Sequence, residues 1–111
     1  MNKKWTVRYS KLARADLKKF NDSQQEQIAV LINRFSYNPL PKSEGGYGNP
    51  LSGELAGYLK IKMLDLGVRI LYTLKRRKGR MIVVLIGMRR DDEVYNIALE
   101  RLRRFVKYRR R

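Results

Sequence analysis

The chain has 111 residues, 26 Lys and Arg against 10 Asp and Glu, a net charge of +16, and neither cysteine nor histidine. That length fits one domain able to bury roughly two-thirds of its unfolded surface, and an apolar content of 43% argues against a disordered chain. The composition excludes a disulfide framework and the usual zinc sites, while so basic a domain calls for a polyanion: nucleic acid first, an anionic membrane or acidic protein second.

"KWTVRYS" alternates, with Trp5, Val7 and Tyr9 on one face and Lys4, Thr6 and Arg8 on the other, which predicts a half-buried strand. The opening "MNKKWTVRYS" lacks the apolar stretch of a signal peptide, and no run reaches the roughly 20 apolar residues of a membrane span. Ser10 caps a helix to about Phe20, with Ala13, Leu17 and Phe20 on one face. Ser23 and Glu26 have capping-box spacing for a second helix, striped by Ile28, Leu31, Ile32 and Phe35 and stopped by Pro39. Residues 38–57 are rich in Pro, Gly, Ser and Asn and read as a long loop, of the kind usually either functional or mobile. Their "GGYG" is no phosphate-binding loop, since no Gly-Lys-Ser/Thr follows it. Three strands follow, Tyr58 to Met63, Val68 to Leu74 and the nearly continuous apolar "RMIVVLIGM", which reads as central. The turn "KRRKG" separates the last two. A third helix starts near "DDEVYNIALERLRRF", capped by Asp91, with Val94, Ile97, Ala98, Leu102 and Phe105 as its buried stripe, and "KYRRR" reads as a solvated tail. The expected fold class is α+β: a largely antiparallel four-stranded sheet with an N-terminal helical hairpin and a C-terminal helix, in the order βααβββα.

The hairpin "GYLKIKMLDLGVRILY" carries the argument toward function. With Leu64 to Gly67 as the turn, Met63 pairs with Val68, Ile61 with Ile70 and Leu59 with Tyr72, and a slip by one residue would put apolar side chains on the wrong face. Lys62 then lies opposite Arg69, with Lys60 diagonal to it and Arg89 and Arg90 ending the next strand near the same region. Like charges set side by side repel, so an external anion or a chemical role should compensate. A solvated lysine face is the plainer explanation of the alternation, and Arg89 pairing with Asp91 or Asp92 is the plainer fate of that arginine. Against this, the cluster gathers cations from separate segments with no acid among them. Arg offers a planar fork and Lys a point charge for phosphate. Cleavage of RNA by its own 2′-hydroxyl needs a base, cations around the phosphate and a proton for the departing 5′-oxygen. A lysine serves as base if neighbouring cations and burial lower its pKa, and an arginine, always charged, suits transition-state stabilisation.

Lys-x-Lys, then Gly-x-Arg-x-x-Tyr, then Gly-x-Arg before Glu-Val-Tyr form an ordered set in "LSGELAGYLKIKMLDLGVRILYTL" and "IGMRRDDEVYNIALERL". This set resembles the RelE/ParE superfamily of bacterial toxins, and within it the RelE-type ribosome-dependent mRNA endonucleases, over nearly the whole chain to about Arg104. The resemblance implies a single toxin domain over residues 1–105 with a basic tail at 106–111. It implies mRNA cleavage in the ribosomal A site without a cofactor or metal, in the cytoplasm. Its partners would be mRNA, the ribosome and a cognate antitoxin, with no membrane. It matches Lys60 and Lys62 to the family's lysine pair, Lys62 being favoured as general base. It matches Arg69 to the arginine stabilising the phosphate, Arg89 to the one serving the leaving group, and Tyr95 to the tyrosine that orients the mRNA. Lys75, Arg76, Arg77 and Arg90 are the expected RNA-backbone contacts. The chain departs from the family at Ser52, where an arginine often stands, and at Met88, where a lysine can stand. The competing readings are a ParE-type toxin acting on DNA gyrase, which typically lacks this residue set, and a non-catalytic basic RNA-binding protein.

Overall fold

A computed structural model of the chain describes the backbone of residues 4–88 and 91–109, and side chains for all of these except 91, 92 and 104–109. The elements run β1 (Thr6–Tyr9), α1 (Lys11–Leu17), α2 (Asp22–Phe35), β2 (Asn49–Pro50), β3 (Tyr58–Met63), β4 (Val68–Lys75), β5 (Arg80–Gly87) and α3 (Asp91–Arg109). They form one α+β sheet in the order β1-β5-β4-β3-β2, with β1 parallel to β5 and the other pairs antiparallel. The four expected strands are all present. The fifth, β2, is two residues of the long loop laid against β3, with Pro50 on the sheet edge where a missing donor is harmless. Two residues in a Pro- and Gly-rich stretch carry no periodicity to read. The interior strands are β5, β4 and β3, and β4 rather than β5 is the middle one.

Capping sets the helices. The Ser10 hydroxyl accepts from the Ala13 N–H at 3.1 Å. α1 stops at Leu17, short of Phe20, yet Phe20 is buried and the chain turns there. The second helix is capped by Asn21 and Gln24, not Ser23 and Glu26: Asn21 accepts from the Gln24 N–H at 2.8 Å and Gln24 from the Asn21 N–H at 3.0 Å. Asn21 is the last extended residue (φ −72°, ψ 169°), which is the geometry a cap needs. Ser23 is already helical.

The sheet separates two apolar clusters. Ala13, Ile28 and Ile32 of α1 and α2 pack on Leu59, Ile61, Val68, Ile70, Tyr72, Met81 and Val83. On the other face Val94 and Ala98 of α3 pack on Leu71 and Leu85, with Leu55 from the loop. The α3 stripe departs from expectation at Ile97, which is exposed. The buried face is rotated toward Tyr95 and Leu99, and the Phe105 side chain lies outside the described residues. One edge of β5 continues past the end of β1, and side chains take over there. Asp16 Oδ2 accepts from the Ile86 N–H at 3.0 Å, and Arg101 Nη1 donates to the Val84 carbonyl at 2.8 Å. Asp16 and Arg101 also hold each other through two 2.9 Å bonds. This largely buried pair joins α1, β5 and α3.

The loop after α2 is built rather than loose. The buried Tyr72 hydroxyl donates to the Pro39 carbonyl at 2.8 Å, and burial pushes its phenol far above the ordinary tyrosine range, so it stays a donor. Tyr47 meets Phe35 edge to face at 5.9 Å. Glu44 receives both guanidinium nitrogens of Arg76, at 2.8 and 2.7 Å.

A candidate nucleic-acid site on the α3 face of the sheet

The hairpin adopts the expected register, with Lys62 opposite Arg69, Lys60 opposite Leu71, Ile61 opposite Ile70 and Leu59 opposite Tyr72. Residues directly opposite hold their Cβ atoms about 5 Å apart and diagonal neighbours about 7–8 Å. Lys62 and Arg69 are therefore immediate neighbours, and Lys60 is diagonal to Arg69. Gly67 makes this possible: it closes the turn at φ +66°, where a side chain is strained. On the far side Arg69 lies opposite Gly87 of β5. A Cβ on Gly87 would come within 2.9 Å of Val94, so glycine lets the first turns of α3 settle close to the strand beside Arg69.

α3 then brings Tyr95 to Lys60, and the Lys60 ammonium donates to the Tyr95 hydroxyl at 2.6 Å. The ammonium is 5.3 Å from the ring centroid, nearly the hydrogen-bond length plus the reach from ring centre to phenol oxygen. Lys60 therefore sits in line with the C–O bond, not over the ring, and the contact is a hydrogen bond more than a cation–π interaction. Lys62 is exposed, and no ion pair among the described residues involves it. Arg69 is half-buried and donates to its neighbour's carbonyl, that of Val68, at 3.3 Å.

Of the residues singled out from sequence, Lys60, Lys62, Arg69 and Tyr95 share this end of the α3 face. Arg89 and Arg90 lie outside the described residues. Lys75, Arg76 and Arg77 stand elsewhere. Lys75 ends β4 opposite Arg80, six residues and about 20 Å along the strand from Arg69, and Arg76 is engaged by Glu44. Two pairings were not readable from sequence: Lys60 with Tyr95 across 35 residues, and Asp16 with Arg101 across 85. The only hint of the second was an acid on the apolar face of α1, one position before Leu17.

Among the described residues no three or more His, Cys, Asp or Glu gather as a metal site, and no helix is long and apolar enough to cross a membrane. No protein-family model and no curated protein matches the chain. Solved structures do. The free Escherichia coli RelE toxin, in an arginine-to-alanine double variant, superposes with a TM-score of 0.71 at 22% identity, over 89% of this chain and 98% of that one. A chain of the RelBE2 toxin–antitoxin complex of Mycobacterium tuberculosis does so at 0.61 and 24% identity, over 78% and 100%. The RelE–RelB complex of Pyrococcus horikoshii gives 0.53 at 10%, over 77% and 94%. The fold is that of the RelE-type toxins. At these identities the likeness speaks of fold, and what the site does has to be argued from its own chemistry.

Proposed function

We propose that this chain is the toxin of a toxin–antitoxin pair and a ribosome-dependent endoribonuclease that cuts mRNA in the A site. The observation that carries the reading is the row Lys62–Arg69 beside the Lys60–Tyr95 bond, on one face of a RelE-type fold. In this mechanism the mRNA 2′-oxygen attacks the adjacent phosphorus while the Lys62 side chain, as general base, takes its proton. The bond from phosphorus to the 5′-oxygen breaks, leaving a 2′,3′-cyclic phosphate and a 5′-oxygen whose charge Arg89 stabilises while it takes a proton from water to become the 5′-hydroxyl. Arg69 stabilises the charge that accumulates on the phosphate oxygens. Lys60 holds the Tyr95 hydroxyl from beyond the ring edge, which leaves the ring plane to orient a base. The antitoxin wraps the basic face with an acidic or amphipathic segment. Charge complementarity with a +16 chain supports this, as does an apolar trough of about 530 Å³ beside α3, lined by Leu55, Ile82, Val84 and Leu85 with Lys11 and Lys75 among its other walls.

The test is primer extension on mRNA from cells expressing the chain. The native protein produces cuts phased to the reading frame. Lys62→Ala and Arg69→Ala each abolish those cuts and relieve growth arrest. Variants as toxic as the parent would sink the enzyme reading. Arrest with intact mRNA and inhibited gyrase would favour the ParE-type alternative instead.

A further inference from the structure

A basic turn lies at the opposite end of β4 from the Lys62–Arg69 row. Arg76, Arg77 and Lys78 form the turn between β4 and β5, and Lys75 precedes them. The turn walls a groove of about 730 Å³ whose other side is Pro41, Pro50 and Tyr58. The bidentate, exposed Glu44–Arg76 pair links the loop carrying Pro41 to the turn. Arg76 spends its charge on that clamp. Lys75, Arg77 and Lys78 are exposed, and no ion pair among the described residues reaches them. Three exposed cations on a groove with an aromatic wall match a nucleic-acid backbone with a base edge turned inward. A flat anionic membrane meets the cations but has nothing to put between Tyr58 and the prolines. Lys75 lies on the same strand as Arg69, an even number of residues away, and so shares its face.

We infer that the groove between the β4–β5 turn and the Pro41–Pro50 loop grips the RNA backbone about 20 Å from the Lys62–Arg69 row, anchoring the RNA independently of the chemistry. This rests on the RNA reading of the opposite end and adds to it a second point of attachment. Two tethered contacts raise affinity once one strand spans both.

The test is binding of 2′-O-methyl oligouridylates of roughly 4 to 16 nucleotides, which lack the nucleophilic hydroxyl and cannot be cut. The native chain should gain at least about tenfold in affinity at the length that bridges the two ends. The Arg77→Ala/Lys78→Ala double variant should lose that step, and its plot of log affinity against log salt should flatten by about 1 to 1.5. Arg77→Lys with Lys78→Arg should restore both. A double variant that keeps the parent's length step and salt slope overturns the inference, and so does one that loses only affinity for phosphatidylserine vesicles. Lys62→Ala, scored by mRNA cutting, reports on the enzyme reading separately. Loss of cutting there with an unchanged length step in the turn variant removes the second site and leaves the first.

Discussion

The two turns at the ends of β4 have nearly the same backbone and opposite uses. Leu64–Leu66 and Arg76–Lys78 are each one 3-10 turn, entered from a residue near φ −105°, ψ 88° (Met63 at −107°, 89° and Lys75 at −102°, 86°) and closed by a left-handed glycine, Gly67 at +66° and Gly79 at +61°. The first carries apolar residues and one aspartate, and its work is to fix register so that Lys62 meets Arg69. The second carries three consecutive cations and displays them beside a groove. Cover separates the ends further. α3 brings Tyr95 down on the first, whereas the second faces the loop through Glu44. The same local geometry therefore supports a site built inward in one place and a surface turned outward in the other. The difference lies in side chains and in what packs against them.

The sharpest way to break this contrast is to release α3. Asp16→Ala leaves the Ile86 N–H without a partner and the Arg101 guanidinium without its carboxylate, holding only the Val84 carbonyl, in a largely buried spot, and should cost about 3 kcal/mol and more than about 10 °C in melting temperature. mRNA cutting should fall with the loosened Tyr95, while oligouridylate affinity at the turn end, measured well below the melting point, should hold. Equal losses at both ends would mean that the ends are not independent. Next in size are Gly67→Ala and Gly79→Ala, each forcing a side chain into the left-handed region at about 1–2 kcal/mol, read from denaturant midpoints. The two variants should be destabilised alike yet diverge in function, Gly67→Ala lowering cutting per bound RNA and Gly79→Ala lowering RNA affinity. The smallest effect is acid release of the clamp. The Arg76 hydrogen bonds hold the Glu44 carboxyl below the usual carboxylate range. What the clamp contributes is thus complete above that range and is lost as pH falls through the lowered folded value. A carbon-13 titration of the Glu44 carboxyl should show a midpoint below that of a glutamate in a free peptide. Arg76→Ala should return it to the peptide value.

The ends also differ in how legible they were. Alternation in "YLKIKM" and "VRILYTL" fixed the hairpin register, because period-two burial tolerates no shift by one residue, and the glycines marked both turns. The two residues of β2 were hidden, since pairing imposed by a neighbouring strand leaves no pattern of its own. The cap of α2 falls two residues before Ser23 because two cap-like pairs, Asn21–Gln24 and Ser23–Glu26, overlap in sequence. Only the burial of Phe20, which sets where the chain turns, chooses between them. Lys75, Arg76 and Arg77 were readable as a basic turn, and strand length sets Lys75 about 20 Å from Arg69.

By itself the sequence determined the strand faces, the two turns, the excess of positive charge and the presence of Lys60, Lys62 and Arg69 on one side of one hairpin. These follow from local geometry, alternation and chirality, which every short segment carries. Only the tertiary structure decided that Tyr95 meets Lys60, that Asp16 and Arg101 complete the edge of β5, and that Arg76 is used up by Glu44. Those pairings join groups 32 to 85 residues apart, and they exist because the apolar clusters on the two faces of the sheet bring distant segments together before any charge chooses its partner.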